Sequence, residues 1–437
     1  MDRIFIGSGL DRISDLPSNV IDHILAFLPL KDAVRTSTLS KNWKEKWHTM
    51  PHVIVDEDLF HERSQRKLEG IINYILGRHE GRIEKFSVSV EKVKNSYNMQ
   101  WWIWRLSQKC IQELTLIIRR GRCNEVPSVL FSYQQLRKLN LRHCEVKPAH
   151  LFRGFQSLTN LQLNKVNIAT AAFEKLISSC PLLEHLTVRK LSCVDHLHIN
   201  VPKLKYFCFD GEFKSMCFNT PLLEVLSVNL YRIGSENNQF DLRFKFRCLP
   251  SAIKELYVRC HFHKYLAACD TFNEDLTYSN LRVLALNAFC FEKVDQVICL
   301  LSLIGTAVNL ITLEITACRY SSEAVLEPLT KFWEEQSNAP LTLNKLQKVR
   351  VRSFRGKEPE IKLIQFIMAN SPALEELTVE CMKNPDFDED EVKGVLQVLC
   401  KASTEFKFIG GNYESSSEES SDSDDNSNGS YSSDDSD

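Results

Sequence analysis

The chain has 437 residues, of which 43% are hydrophobic and 25% are charged, proportions typical of folded soluble proteins rather than disordered or membrane proteins. Residues 414–437 hold nine Asp or Glu and no Lys or Arg, so residues 1–413 carry 54 basic against 47 acidic side chains. That modest excess, without a run of five basic residues, gives little support to nucleic-acid binding. The length exceeds the ~100 to 200 residues of one ordinary domain, which predicts several units or a repeat array.

The N-terminal stretch has an apolar pattern typical of short helices. Pro17 suits the first turn of a helix, and the apolar residues that follow at helical spacing are Val20, Ile21, Ile24, Leu25 and Leu28. After Pro29, a second helix is predicted from about Lys31 to Thr38, with Ala33 and Val34 facing inward. Ser40 is the expected N-cap of a third helix that carries Trp43 and Trp47. Because so small a unit is marginal alone, part of its apolar surface is expected to meet a partner.

A repeat dominates the rest of the chain. The spacing L-x-x-L-x-L, with Ile, Val or Phe allowed, occurs twelve times between residues 83 and 379, for example as LRKLNL at 136 and LEELTV at 374. Most intervals lie within the ~20 to 29 residues of leucine-rich repeats. The last two apolar positions alternate with polar ones, as in a strand with one buried face. Segments 171–180 and 294–305 have helical spacing. We therefore predict an α/β fold, an irregular leucine-rich-repeat solenoid with parallel strands on its concave face.

Two stretches carry a resemblance to a known family. LPSNVIDHILAFLPLKDAVRTSTLSKNWKEKW, residues 16–47, resembles the F-box, and its second half is similar to the version in plant F-box proteins with leucine-rich repeats. Residues 345–381, followed by CKASTEFKFIG, resemble the FBD region that ends proteins of that family. Asn42 departs from the family pattern, where a basic residue is frequent. The predicted units are a three-helix F-box at 8–53, a solenoid at 54–344, an FBD region continuing it at 345–412, and an acidic, Ser-rich disordered tail at 413–437.

The resemblance implies a non-catalytic substrate-receptor subunit of an SCF-type ubiquitin ligase, without a cofactor. The F-box would dock on a Skp-type adaptor, and through it on a cullin, while the repeats would capture a protein for ubiquitination. Some matching F-box residues must instead be internal core. The residues carried over as adaptor contacts are Leu16, Pro17, Val20, Ile24, Leu25, Leu28, Leu30, Val34, Trp43 and Trp47.

Strand positions between the repeated apolar ones face outward on the predicted solenoid, the usual ligand surface of such folds. The expected substrate-binding residues are Arg142, Asn164, Arg189, Asn229, Tyr257 and Arg259, with Arg350 and Arg352 in later units. The arginines suggest a partner with acidic or phosphorylated groups.

Other interpretations remain open at this point. The F-box-like module could serve a scaffold outside any ligase, or the repeats could form a small-molecule, hormone-like receptor. CHFH at 260–263 and HLH at 196–198 lack a second cluster at zinc-like spacing, so no metal site is predicted. G-x-x-x-x-G-K-[ST], G-x-S-x-G and H-E-x-x-H motifs are absent, so no catalytic site is predicted. The start of the chain lacks the layout of a secretory signal, and the expected compartment is the cytoplasm, the nucleus or both.

Overall fold

The architecture is that of a computed structural model. The structure describes residue 13 and residues 16–44, 46–55, 65–93, 96–121, 123–149, 152–191, 196–211, 215–230, 250–260, 277–318, 329, 332–333, 341–382, 389–400 and 404–410. The predicted tail, 413–437, lies outside the described residues, as do residues 261–263 of the CHFH stretch and the side chain of His196. None of the helices in these ranges is long and apolar enough to cross a membrane.

The N-terminal module contains two α-helices and a 3₁₀ helix in the part that the structure describes. Helix α1, Ser18–Ala26, follows Pro17, and helix α2, Leu30–Thr36, follows Pro29; both prolines have the fixed φ that suits entry into a helix. The third predicted helix is a turn at 41–44 followed by a 3₁₀ helix, η1, Lys46–Thr49.

Helix α2 ends two residues earlier than predicted. The hydroxyl of Thr36 donates a hydrogen bond to the carbonyl of Ala33 at 2.6 Å, and that of Thr38 donates to the carbonyl of Arg35 at 2.8 Å. Short polar side chains that bond to nearby backbone in this way compete with the helical pattern. The turn that follows therefore begins at Ser37 rather than after Thr38.

A long parallel sheet forms the body of the protein. Fourteen strands are paired in chain order in the described part: β1 (His52–Val55), β2 (Lys85–Val90), β3 (Glu113–Ile118), β5 (Lys138–Arg142), β7 (Asn160–Asn164), β8 (His185–Arg189), β10 (Tyr206–Gly211), β12 (Val225–Leu230), β13 (Glu255–Cys260), β14 (Val283–Phe289), β15 (Thr312–Ala317), β16 (Lys348–Phe354), β17 (Glu376–Cys381) and β18 (Glu405–Ile409). Two short parallel pairs lie beside it, β4 (Asn124–Glu125) with β6 (Cys144–Glu145), and β9 (His196–Asn200) with β11 (Ser215–Asn219).

Each of the twelve predicted repeat units contains one strand of the long sheet, and the strand begins two residues after the first apolar position of the unit. LRKLNL at 136, for example, contains β5, which begins at Lys138. The sequence prediction of parallel repeat strands is therefore confirmed. The sheet also contains β1 and β18, which do not fit the repeat pattern in the sequence.

Helices connect several of the strands. The described helices after α2 are α3 (Gln65–Arg78), α4 (Ser96–Ser107), α5 (Thr170–Ser178), α6 (Val294–Thr306), α7 (Glu358–Asn370) and α8 (Glu389–Leu399), with a 3₁₀ helix, η2, at Ser128–Ser132. Helices α5 and α6 agree with the helical spacing of segments 171–180 and 294–305.

One core runs the length of the molecule. In β5, Leu139 and Leu141 are buried while Asn140 between them is half-buried, and β2, β3, β7, β8 and β15 alternate in the same way. In β10, β14 and β17 the residue between the two is buried as well. The buried side chains form a single cluster that extends from Ile21 in α1 to Leu396 in α8. Each unit thus buries its apolar face against its neighbours, as expected of a solenoid.

The N-terminal module docks firmly on the first repeat unit. The Nε2 of the buried His79 donates to the carbonyl oxygen of Met50 at 2.7 Å, and the backbone N–H of Gly81 donates to the carbonyl of His48 at 3.2 Å. A Cβ on Gly81 would meet Thr49 Cα at 2.8 Å, so only glycine allows this approach. Burial lowers the pKa of His79.

A repeated turn ends three neighbouring strands. The residue directly after each of β5, β7 and β8 has a positive φ. Its backbone N–H donates to the backbone carbonyl of the last residue of the next strand that pairs with it. The three donor–acceptor pairs are His143 with Asn164, Lys165 with Arg189, and Lys190 with Asp210. The left-handed conformation costs a non-glycine residue ~1 to 2 kcal/mol. The backbone bond offsets that cost and fixes the carboxyl edge of the sheet.

Candidate functional site

Helix α1 has two different faces. Ile21 and Leu25 are 1% exposed and pack into the core. On the other side, Val20, Ile24 and Phe27 follow one another at spacings of four and three residues, which places them in one stripe. Their exposed fractions are 37%, 36% and 77%. Pro17, three residues before Val20, is exposed as well. An apolar stripe of this kind is unusual on a free surface.

The ten predicted adaptor contacts divide by burial into three groups. Pro17, Val20, Ile24 and Val34 are exposed. Two are half-buried, Leu16 and Leu28, and four are buried, Leu25, Leu30, Trp43 and Trp47. The buried four belong to the internal core in this structure, which separates core from surface where the sequence left the two roles open. Contact of any of the ten with an adaptor stays a prediction.

Val34 corrects one expectation within this group. The sequence predicted that Ala33 and Val34 both face inward, yet Ala33 is fully buried while Val34 is 40% exposed. Adjacent helical residues point about 100° apart, so a narrow helix face buries one of them.

Three further exposed apolar side chains belong to the same module and were missed from the sequence. They are Phe27, Ile13 at 53% and Leu39 at 51%. For Phe27 the signal was available, because it continues the spacing of Val20 and Ile24. Ile13 and Leu39 lie outside regular helices, where spacing gives no guide.

Two contacts hold the module together, and a third joins it to α3. The indole Nε1 of Trp43 donates to the carbonyl of Ile13 at 3.0 Å, and the ammonium group of Lys46 lies 3.3 Å from Asp22 Oδ1. The ring of Trp47 stacks on Tyr74 of α3 with centroids 6.3 Å apart. The buried side chains of Trp43 and Trp47 therefore help to hold in place the module that carries the exposed stripe.

The second candidate surface is the solvent-facing side of the sheet. Strand register brings five of the six predicted substrate residues into one transverse row with Asp210 of β10; in order the row is Arg142, Asn164, Arg189, Asp210, Asn229 and Arg259. Tyr257 lies in the adjacent row, two residues before Arg259. Asp210 was missed, although the repeat LKYFCF at 204 places it at the equivalent position.

A polar depression of about 400 Å³ lies at one end of this row. Its lining includes Arg142, Asn164, Arg189, Gln162, His185 and Tyr206. Arginine and amide side chains are rich in donors, and amides also accept hydrogen bonds. No Asp or Glu is among the described residues that line the depression, so its charge is positive.

Neighbouring groups add to this positive charge. Lys165 and Lys190 follow directly after Asn164 and Arg189 at the strand ends. Burial first, and then the charges of Lys165 and Arg142, lower the pKa of His143. A neutral imidazole beside two cations is the expected result of a positive local potential.

Tyr257 has a defined partner. Its hydroxyl donates to Glu255 Oε2 at 2.9 Å, and burial, together with this hydrogen bond, raises the pKa of Tyr257 to about 12. The phenol is therefore neutral at physiological pH. It contributes a polar, uncharged group to the row beside that of Arg259.

The later strands have a different charge balance. Arg352 lies 3.5 Å from both Glu314 and Glu380, and Arg350 lies 4.0 Å from Glu314 and 3.7 Å from Glu380. The two candidate arginines of this half are thus neutralised by carboxylates on neighbouring strands. The basic part of the sheet face lies at β5 to β8. Among the described side chains, no group of three or more His, Cys, Asp or Glu is arranged to hold a metal ion.

Comparison with known proteins identifies the domains of the chain and its family. Residues 13–53 match the model of the F-box domain, residues 99–315 that of the LRR repeats of an FBD-associated F-box protein, and residues 336–379 that of the FBD. An F-box/FBD/LRR-repeat protein of Arabidopsis thaliana is 34% identical over 388 residues, 86% of this chain and 92% of that protein. The chain belongs to the F-box/FBD/LRR-repeat family.

Other relatives agree with this assignment. An FBD-associated F-box protein of Arabidopsis thaliana is 23% identical over 437 residues, 85% of this chain and 88% of that protein. F-box/LRR-repeat protein 25 of the same organism is 26% identical over 248 residues, 56% of this chain and 92% of that protein. The family resemblance seen in the sequence is confirmed, and proteins of the F-box/LRR family are generally non-catalytic substrate adaptors. The domain boundaries at 53/54, 344/345 and 412/413 stay predictions.

Proposed function

We propose that this F-box/FBD/LRR-repeat protein is the substrate-receptor subunit of an SCF-type ubiquitin ligase. The observation that carries the proposal is the exposed apolar stripe of α1 within the module that matches the F-box. In this assignment, the F-box docks on a Skp-type adaptor that links it to a cullin, and the sheet face binds the protein to be ubiquitinated. The chain performs no transfer chemistry and uses no cofactor.

The adaptor contact is assigned to the exposed members of the module. Pro17, Val20, Ile24 and Val34 are the predicted contacts that face solvent, and Phe27 extends their surface. Interfaces depend on a few large apolar anchors that become fully desolvated. Phe27, which is 77% exposed, has the most surface to bury and is the strongest candidate for such an anchor.

The substrate contact is assigned to the row that contains Arg142, Asn164 and Arg189, with Asn229, Tyr257 and Arg259 at its other end. Arginine and tyrosine are frequent anchors at protein interfaces. The polar lining and positive charge favour a substrate segment with acidic or phosphorylated side chains. Simultaneous reversal of charge at Arg142, Arg189 and Arg259 is expected to abolish substrate capture without affecting the F-box.

Co-purification of the tagged full-length protein with a Skp-type adaptor and a cullin tests the assignment. The natural protein should retain both, and the double variant Val20→Asp, Phe27→Asp should lose both while its melting temperature is unchanged. A control variant with Val398→Asp changes an exposed valine of α8 and should retain both partners. If the natural protein retains neither partner, the proposal fails.

Two alternatives have distinct outcomes. Retention of the adaptor without a cullin would support a scaffold outside the ligase. The depression of about 400 Å³ has a volume in the range of small-molecule sites, ~300 to 1,000 Å³, although such sites are mostly apolar and this one is polar. A ligand that raises the melting temperature of the purified protein would support a small-molecule receptor.

The cellular compartment is part of the same proposal. A cytoplasmic or nuclear location is expected for a ubiquitin-ligase subunit of this kind. Imaging of a fluorescent fusion of the full-length protein in plant cells would test it.

A further inference from the structure

The two ends of the long sheet differ in how well they are covered. At one end, helix α2 of the N-terminal module lies beside β1, and Val53 and Val55 of β1 are buried. At the other end, β18 is the last strand in the part of the sheet that the structure describes. Phe406 and Phe408, its residues on the core side, are only half-buried, whereas the residues that pair with them in β17 are buried. The outermost unit of a solenoid usually carries a polar cap, so the β18 end has the properties of one half of an interface.

A groove of about 760 Å³ lies between α8 and β18 at this end. Lys393 and Gln397 line it on the helix side, and Thr404, Phe406 and Phe408 line it on the strand side. The ring centroids of Phe406 and Phe408 lie 6.2 Å apart. In the interior units the next strand covers the equivalent residues. The groove therefore offers apolar surface to one further strand, with polar side chains at its border, as in reversible protein interfaces.

The backbone of β18 is also arranged to accept another strand. The N–H of Glu405 donates to the carbonyl of Glu375, directly before β17, at 2.7 Å. In a parallel pair, alternate residues of a strand bond to the same neighbour, so Glu405, Lys407 and Ile409 bond to the β17 side. The N–H and carbonyl groups of Phe406 and Phe408 then point to the open edge, where they are ready to pair with an added strand.

The charges of β18 are complementary to those of a second β18. Glu405 and Lys407 lie on the solvent-facing side, with 66% and 47% of their side chains exposed. When two copies of the strand pair antiparallel around Phe406, each Glu405 lies directly opposite Lys407 of the second copy. Opposite charges in such cross-strand pairs stabilise a sheet, and like charges destabilise it. Pairing around Lys407 would place two lysines opposite each other, and pairing around Phe408 would place Lys407 opposite Ile409. The charges therefore select the register around Phe406.

We propose that two copies of this chain associate through β18, with the strands antiparallel and Phe406 at the two-fold axis. Phe406 exchanges backbone hydrogen bonds with Phe406 of the second copy, and Phe408 exchanges them with Thr404 of the second copy. The contact is isologous, so it closes at two copies. The solvent-facing sides of the two sheets lie on the same side of the dimer, which gives a receptor with two substrate surfaces and a higher affinity for multivalent partners. This inference goes beyond the proposed function, since association requires neither adaptor nor substrate.

Sedimentation velocity of the purified full-length protein at low and high micromolar concentration tests the inference. The shared edge is short, so the natural chain should form a weak, reversible dimer at the higher concentration. Glu405→Lys or Lys407→Glu, each introduced alone, should weaken dimerisation about ten-fold or more, because both cross-strand pairs become repulsive. An equal mixture of the two variants should dimerise like the natural chain, because the two lysines of one variant lie opposite the two glutamates of the other.

Lys348→Glu is the matched control. Lys348 of β16 has a side chain that is 57% exposed and lies 4.0 Å from Glu376, the same carboxylate that Lys407 approaches to 3.3 Å. The control thus adds the same charge beside the same carboxylate, away from the open edge. It should dimerise like the natural chain. Equal melting temperatures of the variants would show that β18 stays folded, and restored dimerisation in the mixture shows it independently.

Hydrogen exchange at the same concentrations identifies the occupant of the edge. The backbone amides of Thr404, Phe406 and Phe408 should exchange more slowly as the dimer forms. A natural chain that stays monomeric at every concentration would overturn the inference, and protected amides in that monomer would mean that another segment of the same chain occupies the edge. Unchanged dimerisation of both charge variants, a mixture that stays monomeric, or loss of the dimer in the control would also overturn it. Adaptor binding should be equal in all variants; its absence in the natural chain would contradict the ligase role and not the dimer.

Discussion

Arg355 Nη2 lies 3.3 Å from Glu292 Oε1, and the two residues are 63 positions apart in the chain. Arg355 Nε also lies 3.3 Å from Glu360 Oε1. The side chains are 9%, 7% and 0% exposed for Arg355, Glu292 and Glu360. Burial raises the pKa of Glu360, and backbone N–H groups and Arg355 oppose that rise. This buried cluster joins the region after β14 to the start of α7.

Replacement of Arg355 by Ala should destabilise the protein strongly. The buried Glu360 would lose the guanidinium beside it, while Glu292 would keep only Lys357 Nζ at 3.3 Å. A buried charge that loses its partner typically costs ~3 to 5 kcal/mol. The control Arg350→Ala removes an arginine that is 40% exposed and should cost less than ~1 kcal/mol. Urea unfolding followed by circular dichroism measures both, and equal losses would contradict the role of burial.

Two glycine-to-alanine substitutions should change the free energy of unfolding in opposite directions. Gly154 has a φ of +92°, and a Cβ there would meet Ser179 O at 1.6 Å; Gly70, in α3, has no atom within 4 Å of its Cβ position. Gly154→Ala should therefore cost more than ~2 kcal/mol from strain and clash. Gly70→Ala should stabilise by ~0.5 to 1 kcal/mol, since alanine favours the helix. Thermal unfolding of the two variants distinguishes the signs.

His79 should make stability depend on pH. Its pKa is lowered in the folded chain from 6.5, mainly by burial, so the unfolded chain binds a proton more readily. The free energy of unfolding should be fully retained above pH 6.5 and should fall as the pH drops below 6.5 toward the lowered value. His79→Gln, which can still donate to Met50, should flatten this slope in unfolding titrations. The pKa of His143 is also lowered, so a dependence of the same sign remains in the His79→Gln variant.

Truncation of a core residue of the F-box should destabilise the protein much more than truncation of a surface residue. Trp47 is 6% exposed and Phe27 is 77% exposed. Trp47→Ala should cost ~3 to 5 kcal/mol, as for other large core truncations, whereas Phe27→Ala should change stability by less than ~0.5 kcal/mol. Differential scanning calorimetry gives both values. A large loss for Phe27→Ala would mean that its ring supports the fold.

The sequence predicted repeat strands well because each unit repeats the same alternation. The two exceptions have identifiable causes. In β1 the unit's first position is Met50, and before β18 the equivalent position is Ser403. Neither Met50 nor Ser403 is a residue that the repeat pattern allows at the first position. The last two apolar positions of these two units do fit the pattern.

The candidate surfaces were predictable only in part. Helical spacing indicated Val20 and Ile24, but the direction in which a helix faces its neighbours is set by packing, and so Trp47 is core. Alternation along the strands indicated Arg142 and Arg189. Their grouping around one depression depends on the register between neighbouring strands. The contact of Arg355 with Glu292 depends on packing between segments 63 residues apart, which no local pattern encodes.

Calorimetric titration of the purified full-length protein with a purified Skp-type adaptor tests the central claim most directly. The natural protein and the control Val398→Asp should bind with equal affinity. Phe27→Asp should bind at least ~30-fold more weakly, the equivalent of losing one anchor worth ~2 kcal/mol. Absence of binding by the natural protein, or equal binding by Phe27→Asp, would contradict the assignment of the exposed stripe as the adaptor contact.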